Sequence, residues 1–393
     1  MLKDHRLNTP LQRNDRIDRT LFIVAFFLLS ISVILIASSS IMESQKLYGD
    51  EFYLLKKHVM SIGAALFAAF CAGLVPSKMW EKWSFKFMIL VVLLLIAVLF
   101  LGRNINGAKR WISLGPVNLQ PAELLKFFWI IFISSFVSRK MEEIRTKVKG
   151  FIKPVLVLGI MAFLLLKQPD FGSLFVVSVL AIALLWFAGS PLLYYLLLVA
   201  VLAIAAALEI ALEPYRMLRL TTFIDPWADQ FGAGYQLTQS LMAFGRGGLL
   251  GQGLGNSIQK LGYLPEAHTD FVTSILGEEF GFIGMLMVII LEFIIIYKAL
   301  HLGFEILRNG PEFQGFVASG IGVWFCLQTT INIAVASGAM PTKGLTLPLV
   351  SFGGSSMIVF CVAIAVLLRI DFELRRGLIA FSVPDENAEN INE

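Results

Sequence analysis

Residues 171–208 read FGSLFVVSVLAIALLWFAGSPLLYYLLLVAVLAIAAAL, a stretch without a single Asp, Glu, Lys or Arg. A membrane-spanning helix needs about 20 mostly apolar residues, so one continuous helix over this stretch would overshoot a bilayer. Gly189-Ser190-Pro191 divides it, because proline cannot continue the helical hydrogen-bond ladder yet suits the start of a new helix. The stretch therefore predicts a two-helix membrane hairpin.

Working outward from this hairpin, charge-poor runs of the same kind recur, such as Thr20 to Met42, and spans are expected near 19–41, 56–75, 85–102, 121–138, 152–167, 171–188, 191–211, 270–298, 313–337 and 345–368. The bulk composition agrees. The 393 residues are 57% hydrophobic and only 15% charged, against roughly 25% charge in an ordinary soluble domain. Ten spans consume about 200 residues and leave no stretch for a folded soluble domain of ordinary size. The expected fold class is an all-α polytopic membrane protein with ten transmembrane helices, and any chemistry must be built from helices and their loops. Nothing in the composition points to a nucleic-acid partner.

An even number of spans puts both termini on one side. Lys and Arg concentrate in the N-terminal tail, at Lys78 to Lys86, Arg139 to Lys153, Lys298 and Arg308, and Arg369 to Arg376, so the positive-inside rule places both termini in the cytoplasm. This divides the chain into a tail (1–18), a membrane domain (19–376) and an acidic, polar tail (377–393). One large outer loop, 212–269, joins the seventh and eighth spans. The first apolar run is too long for a signal-peptide core and reads as an uncleaved anchor. Cys71, Cys326 and Cys361 lie inside apolar runs and are expected in the core, with no disulfide or zinc spacing. The four histidines are too scattered in sequence to suggest a metal cluster.

Several charged groups stand where charge is costly. Glu123 and Lys126, three residues apart at the start of the fourth span, share a helix face; they read either as an intramembrane pair or as an entry-turn pair with the lysine snorkelling to the interface. Arg103, Lys109 and Arg110 precede them against the positive-inside bias, and arginine suits phosphate oxygens. In the large loop, GRGGLLGQGLG (245–255) fits no nucleotide-binding pattern, and Gly247, Gly251 and Gly255 at four-residue spacing suggest close packing against neighbours instead. Asp270 follows Glu266 and His268 and precedes an apolar run, so it reads either as a helix N-cap or as part of a titratable site. Glu278 and Glu279 continue onto the next helix. Pro, Gly and hydroxyl residues crowd 341–356, implying irregular backbone that lines a cavity, with Lys343 pointing into it.

Together, GAKRWI (107–112), QPAE (120–123), GYQLTQS (234–240), YLPEAHTDF (263–271), GEEFGFIG (277–284) and PTKGLTLPLVSFGGSS (341–356) resemble the SEDS family of membrane enzymes of shape, elongation, division and sporulation. The likeness extends from the first span to Arg376 and is closer to the division branch than to the elongation branch. It implies a ten-span polymerase that joins lipid II into a growing glycan strand on the outer face of the bacterial inner membrane at the division site. A class B penicillin-binding transpeptidase and other division proteins are the implied partners. The family's essential acid matches Asp270, and its fourth-span acid/lysine pair matches Glu123 and Lys126.

On that reading, Asp270 is the base for the attacking sugar hydroxyl. Arg110, Lys126, Lys343 and Arg246 are candidates to hold the diphosphate, and Glu123, Glu266 and His268 join them as substrate-binding groups. A divalent cation, Mg2+ or Mn2+, bridging a carboxylate to diphosphate is compatible with this chemistry, although no metal motif is present. A lipid II transporter, an elongation polymerase and a non-catalytic division scaffold are the competing expectations.

Overall fold

A computed structural model describes residues 17–105, 108–114, 117–212, 214–309, 311–342 and 344–378. In chain order these form α1 (Arg19–Ser39), α2 (Ile41–Tyr48), α3 (Tyr53–Leu74), α4 (Ser77–Leu101), β1 (Arg103–Ile105), β2 (Ala108–Leu114), β3 (Val117–Leu119), α5 (Pro121–Thr146), α6 (Val148–Lys167) and α7 (Phe171–Phe187). Then come α8 (Leu192–Leu212), α9 (Pro214–Ile224), α10 (Tyr235–Gly247), α11 (Val272–Asn309), α12 (Glu312–Ala336) and α13 (Gly354–Arg375). A helix lies at each of the ten expected spans. Seven of the described helices are long and apolar enough to cross a bilayer, and α7 and the first part of α8 are shorter apolar helices.

Burial sorts these helices. Most of α5 and α12 is enclosed, whereas α3, α4 and α11 turn most of their residues outward. At the centre, Trp324 stacks on Phe360 with ring centroids 4.8 Å apart, and Trp129 donates its indole N–H to the Val177 carbonyl at 3.0 Å. The outward faces carry Phe26, Phe67, Phe70, Phe100 and Phe293, all well exposed. Such a continuous apolar surface is unsuited to water and suited to lipid. The same fact corrects the expectation for cysteine: Cys361 is buried, but Cys71 and Cys326 are exposed. In a membrane helix an apolar neighbourhood in sequence does not distinguish core from lipid.

Two elements depart from the sequence expectation. The connection after α4 is a small antiparallel meander, with Arg103 opposite Trp111 and Ile112 opposite Leu119, in a fold expected to be all helix and loop. The last helix begins at Gly354 rather than near 345, because Pro348 and the Gly353-Gly354 pair leave 345–353 as irregular chain.

Helix α11 is broken at Gly281, whose φ of 67° is one that glycine adopts without steric cost. The break frees backbone groups, and the glycine-rich loop takes them up. Gln252 and Gly253 N–H donate to the carbonyls of Glu278 and Glu279, while Phe282 and Ile283 N–H donate to Gly248 and Leu249. A Cβ on Gly247 would lie 1.9 Å from the Gly277 carbonyl oxygen, and one on Gly251 would lie 2.2 Å from that of Glu279. The expected close packing thus holds for Gly247 and Gly251. Gly255 meets only the Lys260 ammonium at 3.9 Å.

The connections fall into two groups of contacts. At one end of the bundle, Ser77 is bound to Glu373, and Asp18 to Lys298 at 2.9 Å. At the other lie the meander, the 212–271 loop and the 337–353 loop. Ser355 joins the last helix to the meander there, accepting from Gln120 N–H and donating to the Asn118 carbonyl.

Candidate active site

The segment Glu266–Phe271 is a closed turn. Thr269 and Phe271 N–H both return to the Glu266 carbonyl at 3.2 Å, and Glu266 itself takes a φ of 55°, rare for a side-chain-bearing residue. Leu264, Ala267 and Phe271 are buried and seat the turn. The Glu266 carboxylate accepts the Thr269 hydroxyl at 2.7 Å, so this acid is engaged within its own turn.

Asp270 stands at the end of the turn, before α11 begins. Asn332 of α12 fixes its backbone: one side-chain amide reaches the Asp270 carbonyl at 3.0 Å and the Leu345 carbonyl at 2.7 Å. The carboxylate lies against Gly344, where an added Cβ would come 2.7 Å from Oδ2. Among the described residues no backbone N–H donates to this carboxylate, which sets aside the N-cap reading. A capped carboxylate would be held low; Asp270 is instead pushed up to about 7, first by burial and then by the negative charge of Glu266. His268, Arg110 and Arg219 pull the other way. The result is a half-buried acid poised near neutral pH, with Arg110 and Arg219 close enough to act on its charge.

The contact with Gly344 makes a test of position. Gly344→Ala should push the carboxylate aside while leaving the fold intact. Activity is expected to fall about 10- to 100-fold with an unchanged thermal unfolding midpoint, since displacing a reacting group by about 1 Å has effects of that size. An alanine variant with the normal rate would show that the Asp270 position does not matter.

Of the other expected substrate-binding groups, Arg110 is brought close enough to Asp270 to act on its charge. Its Nε donates to the Gln168 carbonyl at 3.2 Å and Nη2 to that of Pro169, which ties β2 to the α6–α7 turn. Arg219 on α9 acts on Asp270 in the same way and donates to the Thr342 carbonyl at 3.0 Å. It was not singled out from sequence, although a basic residue in the large outer loop runs against the positive-inside bias. Asn332 was missed too; its signal is a polar amide inside an apolar span.

Three candidates, Glu123, Lys126 and Arg246, are placed otherwise. Lys126 has no exposed surface: Nζ lies 2.7 Å from Glu123 Oε1 and 3.3 Å from Gln328 Oε1, and 5.8 Å above the Trp324 ring. The intramembrane-pair reading therefore holds and the snorkelling one does not. Gln328 donates on to the Thr346 carbonyl at 3.2 Å, so the pair braces the 341–353 loop rather than facing a ligand in this arrangement. Arg246 is held 2.7 Å from buried Glu278, which also accepts from Ser257 and from the N–H groups of Ile258 and Gln259. Glu279 binds Lys260 at 2.9 Å and Ser38 at 2.6 Å. These two acids, expected to extend the titratable site, instead anchor the outer loop. Lys343 lies outside the described residues.

Among the described residues no three His, Cys, Asp or Glu side chains converge as a metal cage. Mg2+ or Mn2+ in such a site would depend mainly on diphosphate oxygens with one or two carboxylates, a common pattern for Mg2+.

Comparison with known proteins is consistent with this geometry. The FtsW/RodA/SpoVE family, described as cell cycle proteins, matches residues 18–376. The probable peptidoglycan glycosyltransferase FtsW of Tolumonas auensis is 49% identical over 358 residues, covering 91% of this chain and 93% of its own. That of Escherichia coli O157:H7 is 44% identical over 358 residues, covering 91% and 86%. Among solved structures, a chain of a peptidoglycan synthase complex described for its coordination of polymerization and crosslinking superposes with a TM-score of 0.75. It is 26% identical, covering 90% of this chain and 98% of that one. The rod shape determining protein RodA of Thermus thermophilus has a TM-score of 0.67 at 24% identity, covering 92% and 97%, and shares the fold.

Proposed function

This chain belongs to the FtsW, RodA and SpoVE family as a peptidoglycan glycosyltransferase of the FtsW type, and from that premise we propose that it polymerises lipid II with Asp270 as the general base. The membrane bundle would hold the polyprenyl tails, and the end bearing the Asp270 turn would face outward, with both termini in the cytoplasm of a dividing cell. There the 4-hydroxyl of the acceptor GlcNAc attacks the anomeric carbon of the donor sugar. The new glycosidic C–O bond forms as the bond to diphosphate breaks, with inversion, and the hydroxyl proton passes to Asp270. The diphosphate is a good leaving group, so one carboxylate suffices without a general acid.

The observation that carries this reading is the pairing of a near-neutral carboxyl with flanking cations. Asp270 is pushed up to about 7 beside Arg110, Arg219 and His268. A carboxylate at its ordinary value would be a weaker base, and arginines beside it are placed to meet the charge developing on the diphosphate. Glu123 with Lys126, and Arg246 with Glu278, serve as the supports of the walls. A class B transpeptidase is the proposed partner, by analogy with the synthase complex above.

The deciding experiment is polymerisation of lipid II by the purified chain in proteoliposomes, with and without the partner, for the wild type and Asp270→Asn. Lipid II confined to one leaflet separates polymerisation from translocation. Glycan strands made by the wild type and not by the variant support the reading; translocation without strand formation would replace it with a transporter.

A further inference from the structure

The first loop of the chain reaches the turn that carries the candidate base. Helix α2 is clamped to the start of α3 by Ser44, whose hydroxyl donates to the Asp50 carbonyl at 2.7 Å and accepts the Leu54 N–H at 3.1 Å. So held, α2 places Glu43 Oε2 3.0 Å from His268 Nδ1, across 225 residues of sequence. The His268 ring beside it holds the Glu43 carboxyl below its ordinary value.

His268 is otherwise enclosed. Its ring meets Phe352 edge-on with centroids 5.2 Å apart, and its carbonyl accepts the Phe352 N–H at 2.9 Å. Phe352 has His58 as a further ring neighbour at 5.6 Å, and His58 Nε2 meets the Ser32 hydroxyl at 2.8 Å. That hydroxyl gives its one proton to the Val350 carbonyl at 2.6 Å, so His58 is the donor in the pair. The turn from Glu266 to Phe271 is closed on itself by its own hydrogen bonds. Its outside anchors include Asn332 at Asp270, Phe352 at the His268 backbone, and Glu43, the charged group that lies against the His268 ring.

We propose that Glu43 is a positioning residue for glycosyl transfer, acting through His268 to hold the turn that presents Asp270. The proposal rests on Asp270 being the base. The expectation is a loss in turnover with little change in substrate affinity, because Glu43 touches the turn and not the sugar or diphosphate. His268 also acts on Asp270, lowering its value together with Arg110 and Arg219 and against Glu266.

The test is steady-state polymerisation by the full chain with its partner in proteoliposomes containing lipid II. Glu43→Ala is expected to lower kcat about tenfold, as for a misplaced reacting group, with KM changed by no more than about twofold. In a His268→Ala background, Glu43→Ala should cost nothing further. An unchanged kcat in Glu43→Ala would overturn the proposal. So would an equal loss in both backgrounds, since Glu43 would then act through α2 itself. Asp270→Asn measured alongside separates the two ideas: normal polymerisation by that variant defeats the base assignment, whereas its inactivity beside a normal Glu43→Ala defeats only the present one.

Discussion

Asp270→Asn is expected to abolish lipid II polymerisation, a loss of about 100- to 10,000-fold, the range over which a general base contributes. The substitution keeps size and shape and removes the proton acceptor, so the variant should fold, insert and hold its partner. The wild type should show the matching pH dependence. With the carboxyl pushed up to about 7 by burial and by Glu266, kcat/KM should fall as pH drops through about 7, where the base becomes protonated.

Stability should move in the opposite sense. The folded-state value lies above the ordinary 3.8, so ionising this group costs the folded protein energy. The cost is absent below the unfolded value, grows as pH rises, and is complete above about 7. Asp270→Asn should therefore gain thermal stability over the wild type at pH 8 and none at pH 4. A variant equally stable at both pH values would contradict the raised value, and one with normal turnover would remove Asp270 from the chemistry.

Lys126→Met is expected to destabilise the bundle by about 3–5 kcal/mol, because it leaves the buried Glu123 carboxylate without its cation. Glu123 and Lys126 are 5% and 0% exposed, and Glu123 Oε2 already lacks a hydrogen-bond partner. Removing both charges together should recover most of the loss, since a buried ion pair replaced by groups of similar volume is often neutral. Thermal unfolding of Lys126→Met and of Lys126→Met/Glu123→Gln in nanodiscs is the measurement. If the single variant is as stable as the wild type, the pair does not brace α5 against α12 and the 341–353 loop. If the double variant is no better than the single one, the loss comes from packing rather than from a stranded charge.

The same residues show where a reading of the chain stops. Glu123 and Lys126 are one helical turn apart, so their pairing was legible from spacing, but their third partner, Gln328, lies 202 residues beyond Lys126 and was not. Asp270 stood out through its neighbours in sequence and the family motif. The N-cap alternative fell only when the surroundings of its carboxylate were seen. Arg246, Glu278 and Glu279 looked like ligand-binding groups because charge near a membrane is rare; the structure spends them on one another and on loop backbone. Glu43 drew no notice, since an acid in a short polar loop is ordinary until His268 is found 3.0 Å away.

The sequence by itself determined the all-helical membrane fold, the rough limits of its apolar helices and the family, and it singled out Asp270 as the acid proposed to carry the chemistry. Those follow from quantities that add up locally: apolar transfer energy over about 20 residues, the breaking effect of proline, the bias of Lys and Arg between loops, and short motifs. The tertiary structure alone decided which charges act on Asp270, which brace the walls, and that α9 and α12 each bring a residue to Asp270 while α2 brings one to His268. Those depend on distances between segments up to hundreds of residues apart. In a bundle whose lipid-facing and core-facing residues are equally apolar, no periodicity along the chain encodes which faces meet.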